Sequence, residues 1–91
     1  MPKFVIEREI PGVGHLSPME TQAASQKMCD AVQRMDRQVQ RVQSHLAEDQ
    51  VYCVFIAPNA EMIREHVRVS GFPATRISEI RSVIEPTRAE G

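Results

Sequence analysis

Two side chains in the stretch YCVFIAPNAEMIREH, residues 52–66, are of types that could bind a metal or catalyse a reaction. Cys53 lies in a run typical of a β-strand, and His66 lies in a segment typical of an α-helix. Thiolates and imidazoles are common ligands of transition metals. Each residue also has a structural interpretation, with Cys53 as a buried apolar side chain and His66 as a boundary residue beside the apolar stripe of its helix.

A second histidine, His45, lies in a predicted strand with more polar surroundings. If Glu48-Asp49 forms a two-residue hairpin turn, Ser44 faces Cys53 and His45 faces Tyr52. A carboxylate from another strand, Glu7 or Glu79, would complete an imidazole–carboxylate set suited to a divalent metal. A hydrogen bond in a subunit interface is the alternative role for His45.

The segments around these residues predict four strands and two helices. Ser17 and Glu20 form a capping box, with Pro18 at the first helical position, and predict a helix that runs to about Met35. Asn59 caps a second helix over 60–70, which Gly71 ends. The predicted strands cover 3–10, 38–47, 51–57 and 76–84.

The order β-α-β-β-α-β predicts an α+β fold, the ferredoxin-like sandwich, with a four-stranded antiparallel sheet and both helices on one face. We expect one domain over residues 1–86 and a flexible C-terminal tail over 87–91.

Helices on only one face leave the other face of the sheet uncovered. The hairpin register predicts that this face carries Arg41, Gln43, His45, Tyr52, Val54 and Ile56. Because the third strand is apolar on both faces, we predict a homodimer that covers the open face, with any small ligand or metal between the two sheets.

Composition excludes several classes of protein. A formal net charge of −1 and a pI near 6.3 argue against a nucleic-acid-binding protein. No apolar run approaches the length of a membrane span, and Glu7, Arg8 and Glu9 interrupt any signal-peptide pattern. We therefore expect a cytoplasmic protein with reduced cysteines and no membrane partner.

The N-terminal segment MPKFVIE resembles the start of the tautomerase superfamily, in which an exposed N-terminal proline heads a strand. That resemblance implies that the α-amine of Pro2 would act as a general base, since its ordinary pKa of about 8 can fall on burial. A small dimeric enzyme, of this type or of the dimeric α/β-barrel type, is therefore the alternative to a binding protein.

Most of the chain, roughly residues 3–86, resembles a bacterial family of small ferredoxin-like proteins known as a domain of unknown function or as nickel-binding proteins. The segments that carry the resemblance are KFVIEREIPG, the capped helix, VYCVFIAPNAEMIREH and GFPATRISEI. The resemblance implies a ferredoxin-like dimer with a nickel site. In that family, histidines stand where this chain has Arg8, His66 and Ser70.

Only one of those three histidines is therefore present, and an arginine stays protonated and cannot ligate a metal. A binding protein for nickel or another divalent metal would use other groups as well. We predict His66, His45 and Glu7 as the metal ligands, and we predict no catalytic residues.

Overall fold

A four-stranded antiparallel sheet carries two helices on one face in the computed structural model, which describes residues 1–36 and 38–84. The sheet order is β2-β3-β1-β4, the arrangement of a ferredoxin-like α+β fold, as predicted. The predicted tail, 87–91, lies outside the described residues. The elements in chain order are β1 (Lys3–Glu9), a short 3-10 turn (Val13–His15), α1 (Pro18–Arg34), β2 (Gln40–Leu46), β3 (Gln50–Ile56), α2 (Ala60–Ser70) and β4 (Arg76–Ile80).

Local signals determine the helix ends. The Ser17 hydroxyl accepts a hydrogen bond from the Glu20 amide at 3.2 Å, and the Glu20 carboxylate accepts one from the Ser17 amide at 2.9 Å. The Asn59 side chain accepts from the Met62 amide at 3.0 Å. Gly71 ends α2 in the left-handed conformation, with φ 77°, which glycine adopts without steric cost.

The fourth strand is shorter than predicted. It ends at Ile80 rather than at residue 84, because Ile80 pairs with Lys3, the first residue of β1. The ladder between β1 and β4 ends at that pair.

The β2–β3 hairpin has the predicted register at its turn, where Ser44 faces Cys53 and His45 faces Tyr52. A bulge between Arg41 and Gln43 then shifts the register by one residue, so that Arg41 pairs with Phe55. The prediction that Arg41 lies on the open face is therefore wrong. The extra residue of a β-bulge moves the following side chains to the opposite face, here the face that the helices cover.

The core lies between the helices and the sheet. Ile6, Cys53, Phe55 and Ile63 are fully buried there. The Ser44 hydroxyl lies 3.2 Å from the Cys53 sulfur, at hydrogen-bonding distance. Cys53 is thus a packing residue, as its structural interpretation predicted.

Gly14 lies where the turn after β1 meets the β2–β3 hairpin, and its amide donates to the Glu48 carbonyl at 2.9 Å. A Cβ at this position would lie 2.6 Å from the Ala47 carbonyl oxygen. We expect Gly14→Ala to lower the free energy of unfolding by about 1–3 kcal/mol, because the backbone must move.

Urea denaturation of the parent and of Gly14→Ala measures the change in the free energy of unfolding. Gly12→Asn is the control, because a Cβ at Gly12 meets nothing within 4 Å and asparagine tolerates its φ of 77°. A Gly14→Ala protein as stable as the parent would show that the two loops separate without cost.

Candidate functional site

Three polar residues are buried in the layer between α2 and the sheet. The exposed fractions of Arg8, His66 and Ser70 are 0%, 0% and 2%. The prediction that His66 lies at a boundary is wrong. The His66 ring packs against the Phe55 ring, with the centroids 4.4 Å apart. The Phe55 ring is bulky, so it buries helix residues that lie outside the apolar stripe of α2.

Burial, together with the charges of Arg8 and Arg41, lowers the pKa of His66 to about 4. Desolvation is the largest of these causes, because it penalises the charged imidazolium. Within the described residues, neither ring nitrogen has a hydrogen-bond partner. The side chain is therefore a neutral imidazole at pH 7.

Arg8 brings a buried charge into the same layer. Its Nη1 donates to the Pro73 carbonyl at 3.1 Å, and its Cζ lies 5.9 Å from the centre of the Phe72 ring. Among residues 1–36 and 38–84, its Nε and Nη2 have no hydrogen-bond partner. Leaving buried polar groups without partners costs about 1–3 kcal/mol for each group, and more for a charged one.

The cluster of Arg8, His66 and Ser70 does not fit a transition metal. Arg8 offers only donors, and its positive charge repels a cation. The Ser70 hydroxyl donates to the Val67 carbonyl at 3.0 Å and accepts from the Phe72 amide at 3.3 Å. One imidazole remains, and the described parts of the chain contain no group of three or more His, Cys, Asp or Glu placed to hold a metal.

The open face of the sheet holds the other two predicted ligands. His45 and Glu7 both pair with Tyr52, one from each side, and Arg76 pairs with Glu7. These four side chains form a row across the sheet, which we call the open-face row. The structure thus brings His45 and Glu7 to one face, and the sheet separates both from His66.

A cavity of about 420 Å³ lies between α1, the turn after β1 and β2. We call it the α1–β2 cavity. Its wall is largely apolar, and the Arg41 side chain lies in it. Sequence reasoning missed the cavity, because the segment QVQRVQSHLA contains no strong signal for the bulge that turns Arg41 inward. An arginine within a predicted strand is the one weak indication of it.

Pro2, the residue of the tautomerase alternative, is half-buried before β1. Its carbonyl accepts a hydrogen bond from the Ala57 amide at 3.1 Å, which ties the start of the chain to the end of β3. A catalytic role for Pro2 stays a prediction.

Over residues 1–36 and 38–84, neither helix has the length and apolar character needed to cross a membrane.

Comparisons with known proteins agree with this architecture. Residues 4–80 match the family model described as nickel responsive protein SCO4226-like. The crystal structure of SCO4226 from Streptomyces coelicolor A3(2) is similar in fold, with a TM-score of 0.71 and 22% identity; the match covers 90% of this chain and 99% of that one. No curated protein matches the chain.

Proposed function

Because this chain belongs to the SCO4226-like family of nickel responsive proteins, we propose that it is a small binding protein that acts as a homodimer and takes a divalent metal such as nickel on its open sheet face. The observation that carries this proposal is the open-face row, in which His45 and Glu7 flank Tyr52. An imidazole and a carboxylate suit nickel and neighbouring divalent metals.

One protomer supplies too few ligands. His45 and Glu7 stand two strands apart, so their backbones are separated by roughly 10 Å, and a bound metal ion takes at least four ligands. In a two-fold symmetric dimer, the same patch of each copy meets the other, which doubles the number of imidazoles and carboxylates. The metal site is therefore completed by the second copy.

Apolar side chains around the open-face row support the same dimer. Val5, Val54, Ile56 and Ile80 are half-buried on this face. Covering them with a second sheet removes apolar surface from water, which is the main driving force for association. Glu7 and Arg76 add charges of opposite sign, so that the face is complementary to itself.

Isothermal titration with Ni²⁺ tests the metal. We expect saturable binding at micromolar metal, with loss of at least tenfold in affinity for His45→Ala, because one of the imidazole ligands is gone. His66→Phe serves as the matched histidine substitution and keeps the affinity, since His66 lies behind the sheet. A parent protein that gives no saturable heat would overturn metal binding.

The same titration tests His66, the third residue predicted as a metal ligand. If His66→Phe abolished binding while His45→Ala did not, the metal would lie in the helix–sheet layer and the open-face placement would be wrong.

Sedimentation of Val54→Lys tests the dimer separately: we expect a monomer that has lost the metal site, whereas an unchanged dimer would exclude this face as the interface.

A further inference from the structure

The α1–β2 cavity has the wall of a site for a small amphiphilic molecule. Its volume of about 420 Å³ lies within the range of ligand pockets. Apolar side chains form most of the wall, and a few hydroxyl and amide groups interrupt them. The apolar members include Val13, Leu16, Ala24, Met28, Leu46 and Phe72.

Arg41 places a positive charge in this wall, and it has no carboxylate partner in the part of the chain that the structure describes. Its Nη2 lies 2.6 Å from the Ser25 hydroxyl and 3.7 Å from the Cys29 sulfur, and its Nη1 lies 3.7 Å from the Met28 sulfur. These partners are all neutral. Because a guanidinium has five N–H donors, Arg41 keeps donors for a further acceptor.

Two more cations stand beside the same wall. The Lys27 Nζ lies 5.1 Å from the centre of the Phe72 ring, and the Arg8 Cζ lies 5.9 Å from it. None of the three cations forms an ion pair with a carboxylate within residues 1–36 and 38–84. The residues described along the cavity include no aspartate or glutamate.

The lowered pKa of His66 has the charges of Arg8 and Arg41 among its causes, which agrees with a positive potential in this half of the helix–sheet layer. A positive potential over a concave apolar surface attracts a molecule that is apolar along most of its length and negative at one end.

We propose that the α1–β2 cavity binds a monoanionic amphiphile, a carboxylate with an apolar chain, whose head group pairs with Arg41 and whose chain lies along α1 and the turn after β1. The Nε–H donor and one Nη1–H donor of Arg41 remain, and they can form charge-assisted hydrogen bonds to a carboxylate. Val42 and Leu46 of the edge strand β2 are 47% and 43% exposed, and both line the cavity, so its apolar mouth opens at the edge of the sheet.

This site is independent of the proposed metal site, because it lies on the helix side of the sheet. The test therefore uses the whole chain in the presence of a chelator. Decanoate is the probe, decanol is the matched molecule without the charge, and acetate is the head group without the chain. Calorimetry below the micelle concentration gives the three affinities.

We expect decanoate to bind saturably, decanol at least tenfold more weakly, and acetate not measurably. Arg41→Met should weaken decanoate by at least about tenfold, because a hydrogen-bonded charge pair contributes about 1.5–3 kcal/mol. The affinity for decanol should not change. Arg64→Met, which removes an exposed arginine of α2, is the control and should leave both affinities unchanged.

Chemical-shift mapping on the unmodified protein keeps the test decisive if Arg41→Met does not fold. Decanoate should shift the amides of Ala24, Ser25, Met28 and Val42, and Ala24→Phe, which fills the cavity, should abolish those shifts. Equal affinity of decanoate for Arg41→Met and the parent, shifts confined to another surface, or absence of saturable binding would each overturn the proposal.

Discussion

Acidification should destabilise this protein through one buried histidine. The pKa of His66 is lowered to about 4 in the folded chain, from 6.5 in a solvated imidazole. Between these values the unfolded chain holds a proton that the folded chain does not, so stability falls as the pH falls. The full contribution is present above pH 6.5; about 2 kcal/mol is lost by pH 5 and about 3 kcal/mol below pH 4.

Urea denaturation at several pH values measures this loss. Because carboxylates also titrate at low pH, the informative quantity is the difference between the parent and His66→Phe, which keeps a ring against Phe55 and cannot take a proton. We expect that difference to change by about 2 kcal/mol between pH 7 and pH 5. His15→Gln, at an exposed histidine, should retain the parent's profile.

Burial of the ring is the main cause of this effect, and the positive charges of Arg8 and Arg41 add to it. Within the described residues, neither ring nitrogen has a hydrogen-bond partner that would stabilise the imidazolium. A parent protein whose pH profile matches that of His66→Phe would show that water or an acceptor reaches the ring.

Replacing Arg8 by methionine should stabilise the folded chain. The side chain is fully buried, and two of its guanidinium nitrogens have no hydrogen-bond partner within the described residues. Methionine fills a similar volume without a charge. Replacing buried ion pairs by apolar residues of similar volume is often neutral or stabilising by about 1–4 kcal/mol, and Arg8 has no ion-pair partner among the described residues to lose. We expect a gain of about 1–4 kcal/mol in urea denaturation at pH 7.

The same variant should reduce the acid sensitivity, because one of the charges that lower the pKa of His66 is then absent. Arg64→Met is the matched control: it removes an exposed arginine, and we expect a change within about 0.5 kcal/mol. A destabilised Arg8→Met protein would contradict this account, because the bond to Pro73 and the contact with Phe72 would then outweigh the cost of the buried charge.

Most of the fold could be predicted from the sequence, because its determinants are local. The capping box at Ser17, the Asn59 cap and the Gly71 end each depend on a few neighbouring residues, and the structure confirms all three. The hairpin turn at Glu48-Asp49 also determines the pairing of His45 with Tyr52.

The surroundings of the candidate ligands could be predicted only in part. Strand alternation and the turn place His45 on the open face, but the sequence does not show that Glu7 pairs with the same Tyr52, since β1 is far from β3 in the chain. The burial of His66 depends on its contact with the Phe55 ring of β3. The pattern of apolar residues along α2 does not reveal that contact.

The sequence by itself determined the order of elements, their caps and the apolar core, because propensity, capping and periodicity act over a few residues. Only the tertiary structure decided which polar groups share a space. One bulge in β2 turned Arg41 toward the helices, and packing buried Arg8 beside a neutral His66. Such neighbourhoods arise from contacts between distant segments, so the cationic layer formed by Arg8 and Arg41 became visible only in three dimensions.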